Sequence, residues 1–232
     1  KRNKEPIFGI DFSSTIFDFE FNGEISLESG KNYTKVNGLQ KNERLYDFIS
    51  RTSDNDSLRM ESTIGNKPIP KLCFGVSKTF DLLNIKDRVR IISEFYYNKA
   101  GVPGNFFREH KVRESLEILN GLPKDTDGSG DTLSQKMDKL MSRFANPNNF
   151  SRYYLSLFTT INKFIISDMT FEFNGIVNLE QKAATLITSL QYATIHNLLI
   201  GLVFSSAVGS KDNEYTVFQN AFSTRLNLGI TF

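Results

Sequence analysis

The C-terminal end of the chain alternates. Phe222, Thr224, Leu226, Leu228, Ile230 and Phe232 fall on one side of an extended backbone, and Ser223, Arg225, Asn227, Gly229 and Thr231 on the other. Successive side chains of a strand point to opposite faces, whereas a helix would scatter both sets around its circumference. This pattern therefore predicts a strand with one apolar and one polar face. The rhythm recurs upstream. Segment 18–29 sets Phe19, Phe21, Gly23, Ile25 and Leu27 against Asp18, Glu20, Asn22, Glu24, Ser26 and Glu28. Segment 167–178 sets Met169, Phe171, Phe173, Gly175 and Val177 against Asp168, Thr170, Glu172 and Asn174. Segment 88–97 sets Val89, Ile91, Phe95 and Tyr97 against Arg88, Arg90 and Glu94. Segments 7–16, 71–80, 151–162, 183–194 and 197–207 follow it less cleanly. That makes about nine strands, each near the ~9–11 residues that cross a bilayer at a tilt.

The connections add a second constraint. In chain order they run to roughly two, forty, seven, fifty, four, four, two and fourteen residues, so short and long nearly alternate, as in membrane barrels with short turns at one end and long loops at the other. A compact soluble domain accommodates structureless loops of such length poorly. A soluble β-sandwich, whose half-buried strands also alternate, is the other architecture that fits the strands alone.

Composition excludes several classes. A formal net charge of +2 and the lack of a basic run argue against nucleic acid as a partner. No apolar run approaches the ~18 residues of a spanning helix, a test that barrels escape because only every second residue need be apolar. Lys1, Arg2 and Lys4 are charged, but no apolar segment of the signal-peptide kind follows them. The single cysteine, Cys73, excludes an internal disulfide and a cysteine-rich metal site. It falls on the polar side of segment 71–80, where a small filler residue is expected. No nucleophile elbow, HExxH, P-loop or GxGxxG is present, so no enzyme is expected. The pairs Glu20/Glu24 and Asp168/Glu172 imitate a glycosidase dyad, but alternation alone places such residues on a polar wall. His110 and His196 are expected to be solvated.

The terminal strand resembles that of bacterial outer-membrane β-barrel proteins, which end on an aromatic residue preceded by apolar residues at alternate positions. Leu226, Leu228, Ile230 and Phe232 carry that resemblance. It implies an antiparallel transmembrane barrel in the bacterial outer membrane, with Leu226, Leu228, Ile230 and Phe232 as the signal read by the barrel-assembly machinery. Residues 1–232 are then one barrel domain or a fragment of one, and 30–70 and 99–150 are long external loops. Phe19, Phe21, Phe171, Phe173, Leu226, Leu228 and Ile230 would meet lipid. Asp11, Glu20, Glu24, Glu28, Arg88, Arg90, Glu94, Arg152, Asp168, Glu172 and Arg225 would line the lumen. The implied function is a porin-like diffusion channel for small polar solutes. The alternative is a scaffold or adhesin whose loops bind a partner, such as another outer-membrane protein. If Phe232 is periplasmic, strand 7–16 begins outside the cell, so further strands are expected to complete the barrel.

Two features of the loops stand out. Val112, Leu116 and Leu119 recur at helical spacing before Gly121 and Pro123, and Leu133, Met137, Leu140, Met141 and Phe144 form a second stripe. A further helical turn is expected near Leu45, Phe48 and Ile49. Between the two stripes, Asp125, Asp127, Ser129 and Asp131 imitate a calcium loop. Lys136 stands where a bidentate Glu should close such a site, so a bound calcium ion is a poor fit and no cofactor is expected.

Overall fold

The computed structural model describes residues 7–28, 33–36, 39–51, 60–63, 68–121, 150–193, 198–217 and 222–230. Nine strands form one antiparallel sheet: β1 (Ile7–Ile16), β2 (Phe19–Glu28), β5 (Ile69–Leu82), β6 (Ile85–Asn98), β7 (Tyr153–Asn162), β8 (Met169–Asn178), β9 (Ala183–Ala193), β10 (Leu198–Val208) and β11 (Phe222–Ile230). Each pairs with its neighbours in chain order. All nine alternating segments of the sequence are strands. A separate hairpin, β3 (Tyr33–Val36) with β4 (Met60–Thr63), lies in the β2–β5 connection. That connection also carries α1 (Leu45–Arg51), and the β6–β7 connection carries α2 (Phe106–Glu109) and α3 (Val112–Asn120). The second apolar stripe, 133–144, and the calcium-like segment 125–131 lie outside the described residues. So do His196 and Phe232.

The expected seven-residue turn at 81–87 is much tighter. β5 and β6 continue to Leu82 and Ile85, and Leu83 and Asn84 alone connect them, both with positive φ. Asp87 also has positive φ, the register slips between Phe80 and Leu82, and the Asp87 amide donates to Asp81 Oδ1 at 2.9 Å. This irregularity breaks the alternation, which is why the sequence reads as a longer loop. The β1–β2 turn, Phe17–Asp18, has the same left-handed pair of residues, the geometry that suits the twist of a hairpin. The long connections all emerge from the other end of the sheet.

The sheet is open: β1 and β11 are its edges, and they run in the same direction. Its register is strongly staggered. Thr15 pairs with Glu20, and the row continues through Ser77, Ile92, Phe158, Asn174, Ile187 and Ser205 to Ser223. It starts near the short-turn end of β1 and arrives near the long-loop end of β11.

Register also sorts the faces. Directly opposed residues of an antiparallel pair share a face. One face presents Phe8, Ile10, Phe21, Ile25, Leu72, Phe74, Phe95, Leu155, Leu157, Phe171, Phe173, Leu202, Leu226 and Leu228, and it is open: Ile10 is 74 % exposed and Leu228 70 %. Even Gly23 on this face is covered by a ring. A Cβ on Gly23 would come within 2.4 Å of the Phe12 ring, which lies 6.5 Å from that of Phe74. The compact apolar core lies elsewhere. Leu45, Phe48, Ile49, Phe106, Phe107, Val112 and Phe150 form it, all in connections.

Candidate functional site: the polar face and the loops that cap it

The other face of the sheet carries the charge. Asp11, Glu20, Glu24, Glu28, Lys71, Arg90, Glu94, Glu172 and Arg225 lie on it by register. Three of its glutamates accept a hydrogen bond from the serine directly opposite: Ser77 to Glu20 at 2.7 Å, Ser189 to Glu172 at 2.8 Å and Ser156 to Glu94 at 3.4 Å. Lys71 pairs with Glu28 at 2.9 Å, and Arg90 approaches Glu20 at 3.7 Å. Carboxylates thus gather on β1 and β2, facing basic groups on β5 and β6.

Three further residues expected to line the lumen sit at the ends of the strands and hold turns there. Arg88 is buried and donates from Nη2 to the carbonyls of Lys163 and Phe164, at 2.7 and 3.0 Å, so it fastens the β7–β8 turn. Asp168 lies in that turn and accepts from Ser167. Arg152 precedes β7; its Nε donates to the Gly101 carbonyl at 3.3 Å and its amide donates to Glu180 Oε2 at 2.9 Å. Arg152 and Asp168 continue the alternation of the sequence but lie one residue before β7 and β8, because a periodic pattern does not mark where a strand begins. Leu226 and Leu228 lie on the apolar face opposite Leu202 and Ile200, and Ile230 is the last residue of β11.

Away from the irregular β5–β6 turn, Lys78 is the only charged residue of the nine strands on the apolar face. Its ammonium lies 4.3 Å from the centre of the Phe19 ring and 5.4 Å from that of Phe80. A cation is favourable over an aromatic face, and a lysine stem can cover apolar surface while its head reaches outward.

The loops close over the long-loop end. The first amides of α1 need partners; Leu45 N–H donates to the His110 carbonyl at 2.9 Å and Tyr46 N–H to Ser115 Oγ at 3.1 Å. His110, expected to be solvated, is buried. Its Nδ1 lies 2.9 Å from the Glu43 carbonyl and its ring packs on Phe106. The β10–β11 loop is drawn in by Arg113, which donates to the Lys211 and Thr216 carbonyls, and by Asn105, which donates to the Asp212 carbonyl. Gly209 permits the turn: its φ is +136°, and a Cβ there would meet Ala183 at 3.0 Å.

This loop reaches across the sheet. Glu214 lies in the β10–β11 connection, yet its Oε2 accepts from the Tyr154 hydroxyl of β7 at 3.0 Å. Tyr154 also accepts from Ser151 N–H at 2.7 Å, Gln181 accepts from Glu214 N–H at 2.9 Å, and Asn178 and Gln181 donate to Ser151 Oγ. Glu214 is 6 % exposed, and among the described residues its Oε1 has no hydrogen-bond partner. Burial pushes its carboxyl above the ordinary carboxylate value, and the neighbouring Tyr215, Tyr154 and Asn178 pull it partly back. Burial and the Glu214 carboxylate together hold the Tyr215 hydroxyl well above the ordinary phenol range. Sequence reasoning missed Glu214: a single acid in a loop carries no periodic signal.

Among the described residues no three His, Cys, Asp or Glu side chains are placed to hold a metal ion. Comparison with protein-family models, with curated proteins and with solved structures returns no match.

Proposed function

We propose that the nine strands are wall strands of a bacterial outer-membrane β-barrel, with the Phe8–Leu228 face in lipid and the charged face around a water-filled lumen that passes small polar solutes. The carrying observation is the one-sided charge. Nine charged residues with register partners lie on one face, and Lys78 alone of such residues lies on the other. A charged side chain in mid-bilayer on a lipid face costs ~2–4 kcal/mol, which gives this sorting a cause. In water, an open face of phenylalanine, leucine and isoleucine would be an aggregation surface. The stagger of the register supports the same reading, because closing a sheet into a barrel requires tilted, sheared strands.

On this reading the two edges cannot stay bare in lipid, where each unpaired backbone group costs several kcal/mol. β1 and β11 run in the same direction, so an all-antiparallel wall closes only through an odd number of strands between them. The carboxylates of β1 and β2, with Lys71 and Arg90 beside them on the same wall, would set the local field at the lumen surface and so its selectivity.

Spin labels in lipid vesicles test the facing. Labels at Phe171 and Leu228 are expected to relax with dissolved oxygen, and labels at Glu172 and Asn227 with a water-soluble nickel complex. The reverse pattern sinks the proposal. A second reading, a closed scaffold barrel, draws on the Glu214–Tyr154 contact, which carries a loop over the polar face. Single-channel recording separates the two: a scaffold conducts no ions.

A further inference from the structure

One cavity on the polar face differs from the wall around it. Its volume is about 270 Å³, just under the ~300–1,000 Å³ typical of drug-sized sites, so its occupant would be small. Three rings dominate the lining: Tyr96 on β6, and Tyr154 and Phe158 on β7. Tyr96 and Tyr154 are register partners with ring centroids 6.3 Å apart. Ile176 closes the β8 side. The hydroxyl of Tyr154 is engaged by Ser151 N–H and Glu214, which leaves its ring for the cavity.

A single charged group enters this apolar setting. Glu94 lies opposite Ser156, and among the described residues its carboxylate accepts a hydrogen bond from that hydroxyl alone, at 3.4 Å. Glu28 and Glu20, by contrast, have Lys71 and Arg90. Among the described residues no cation pairs with Glu94. An unpaired carboxylate beside aromatic faces is the chemistry that recognises an ammonium group on an apolar body, since the carboxylate takes the charge and the rings take both the hydrocarbon and part of the charge.

We propose that this cavity binds a small organic cation, a primary amine carried on a single aromatic or short aliphatic group. The inference rests on the cavity alone and goes beyond the barrel reading. Cys73 makes it testable, because it is the one cysteine of the chain and it lines the cavity on the β5 side, opposite Tyr96.

The experiment measures alkylation of Cys73 by N-ethylmaleimide in the full chain reconstituted in lipid vesicles. Tyramine is the probe, and 4-ethylphenol, the same ring and ethyl body without the amine, is its control. Tyramine is expected to slow alkylation in a saturable way and 4-ethylphenol to slow it hardly at all. In Glu94→Gln, compared with its own unprotected rate, the tyramine concentration needed should rise by about tenfold or more, as for a lost hydrogen bond to a charged group. Phe158→Leu, which removes one ring but keeps the apolar wall, should shift it by less. Equal protection by both compounds, no protection by tyramine, or protection unchanged in Glu94→Gln would each overturn the proposal. The unprotected rate reads separately on the wall: alkylation proceeds through the thiolate, which forms in water and not in hydrocarbon, so ready alkylation places this face in water whether or not tyramine binds.

Discussion

Phe107 in the loop cap has no exposed surface, whereas Phe12 on β1 leaves 48 % of its surface open. Phe107 packs between Phe106 and Phe150, with ring centroids 5.9 and 4.7 Å away, in a cluster to which three connections contribute. Phe12 has the Phe74 ring beside it, 6.5 Å away, and Gly23 beneath. The cap is thus built as a water-soluble domain is built, by taking apolar side chains out of water. The sheet is built the other way round, with serines and carboxylates on its more enclosed face and aliphatic groups outside. On the proposed barrel reading, the two regions would face different solvents, with the boundary at the ends of the strands.

The sharpest way to break that comparison is at the centre of the cap. Phe107→Ala should cost ~3–5 kcal/mol of cap stability, the usual loss for a fully buried phenylalanine. Amide exchange should rise in α1, α2 and α3 and stay unchanged in β8 to β10. If the strands open in step with the cap, the two regions share one core and the contrast is false. The matching test on the sheet is charge insertion. Leu157→Arg, on the apolar face in the middle of β7, should cost ~2–4 kcal/mol in a bilayer, and Asn174→Arg, on the polar face in the middle of β8, much less. Unfolding in lipid vesicles checks both. Equal costs would mean that both faces meet the same medium.

The strands were legible because an alternating pattern needs no partner to be read, and the nine segments emerge with limits shifted by at most three residues. The cap was legible only in part. Leu45, Phe48 and Ile49, and Val112 and Leu116, announce α1 and α3 by their spacing, but nothing in the sequence says that the two helices pack on each other through His110 and Ser115. The polar site follows the same division. Glu20, Glu94 and Glu172 are visible as the even positions of strands. The cavity is not, since it depends on which residues of β5, β6, β7 and β8 come level, and register is set by turns such as Leu83–Asn84 that alternation does not resolve.

Glu214 tests the seam between the two regions. Docked against Tyr154 and Tyr215, its carboxyl sits above the ordinary carboxylate value, and in a released loop it would return to that value. Docking is therefore fully favoured below the ordinary carboxylate pKa and weakens as pH rises through the raised value of the docked state. Amide exchange in 209–217 should accelerate over that rise, and Glu214→Gln should flatten the dependence. Faster exchange on acidification would reverse the sign and with it the assignment of burial as the dominant cause.

The smallest effect tests the far end of the sheet. Phe17 occupies the left-handed region, with φ 50°, in a two-residue turn, and 89 % of its surface is exposed. A bulky residue there costs roughly 1–2 kcal/mol of backbone strain, and asparagine adopts the same geometry readily. In water Phe17→Asn should therefore stabilise the hairpin, because the ring it removes touches little. At a bilayer surface the ring contributes instead, since aromatic side chains are favourable at the boundary between headgroups and hydrocarbon. The expected outcome in lipid vesicles is a small loss of stability for Phe17→Asn and no change for Phe17→Tyr, which keeps an interfacial ring. Leu83, at the corresponding place in the β5–β6 turn with φ 54°, should behave alike on Leu83→Asn. A gain of stability in both asparagine variants would put these turns in water, and the contrast between cap and sheet would then lose the end of the sheet farthest from the cap.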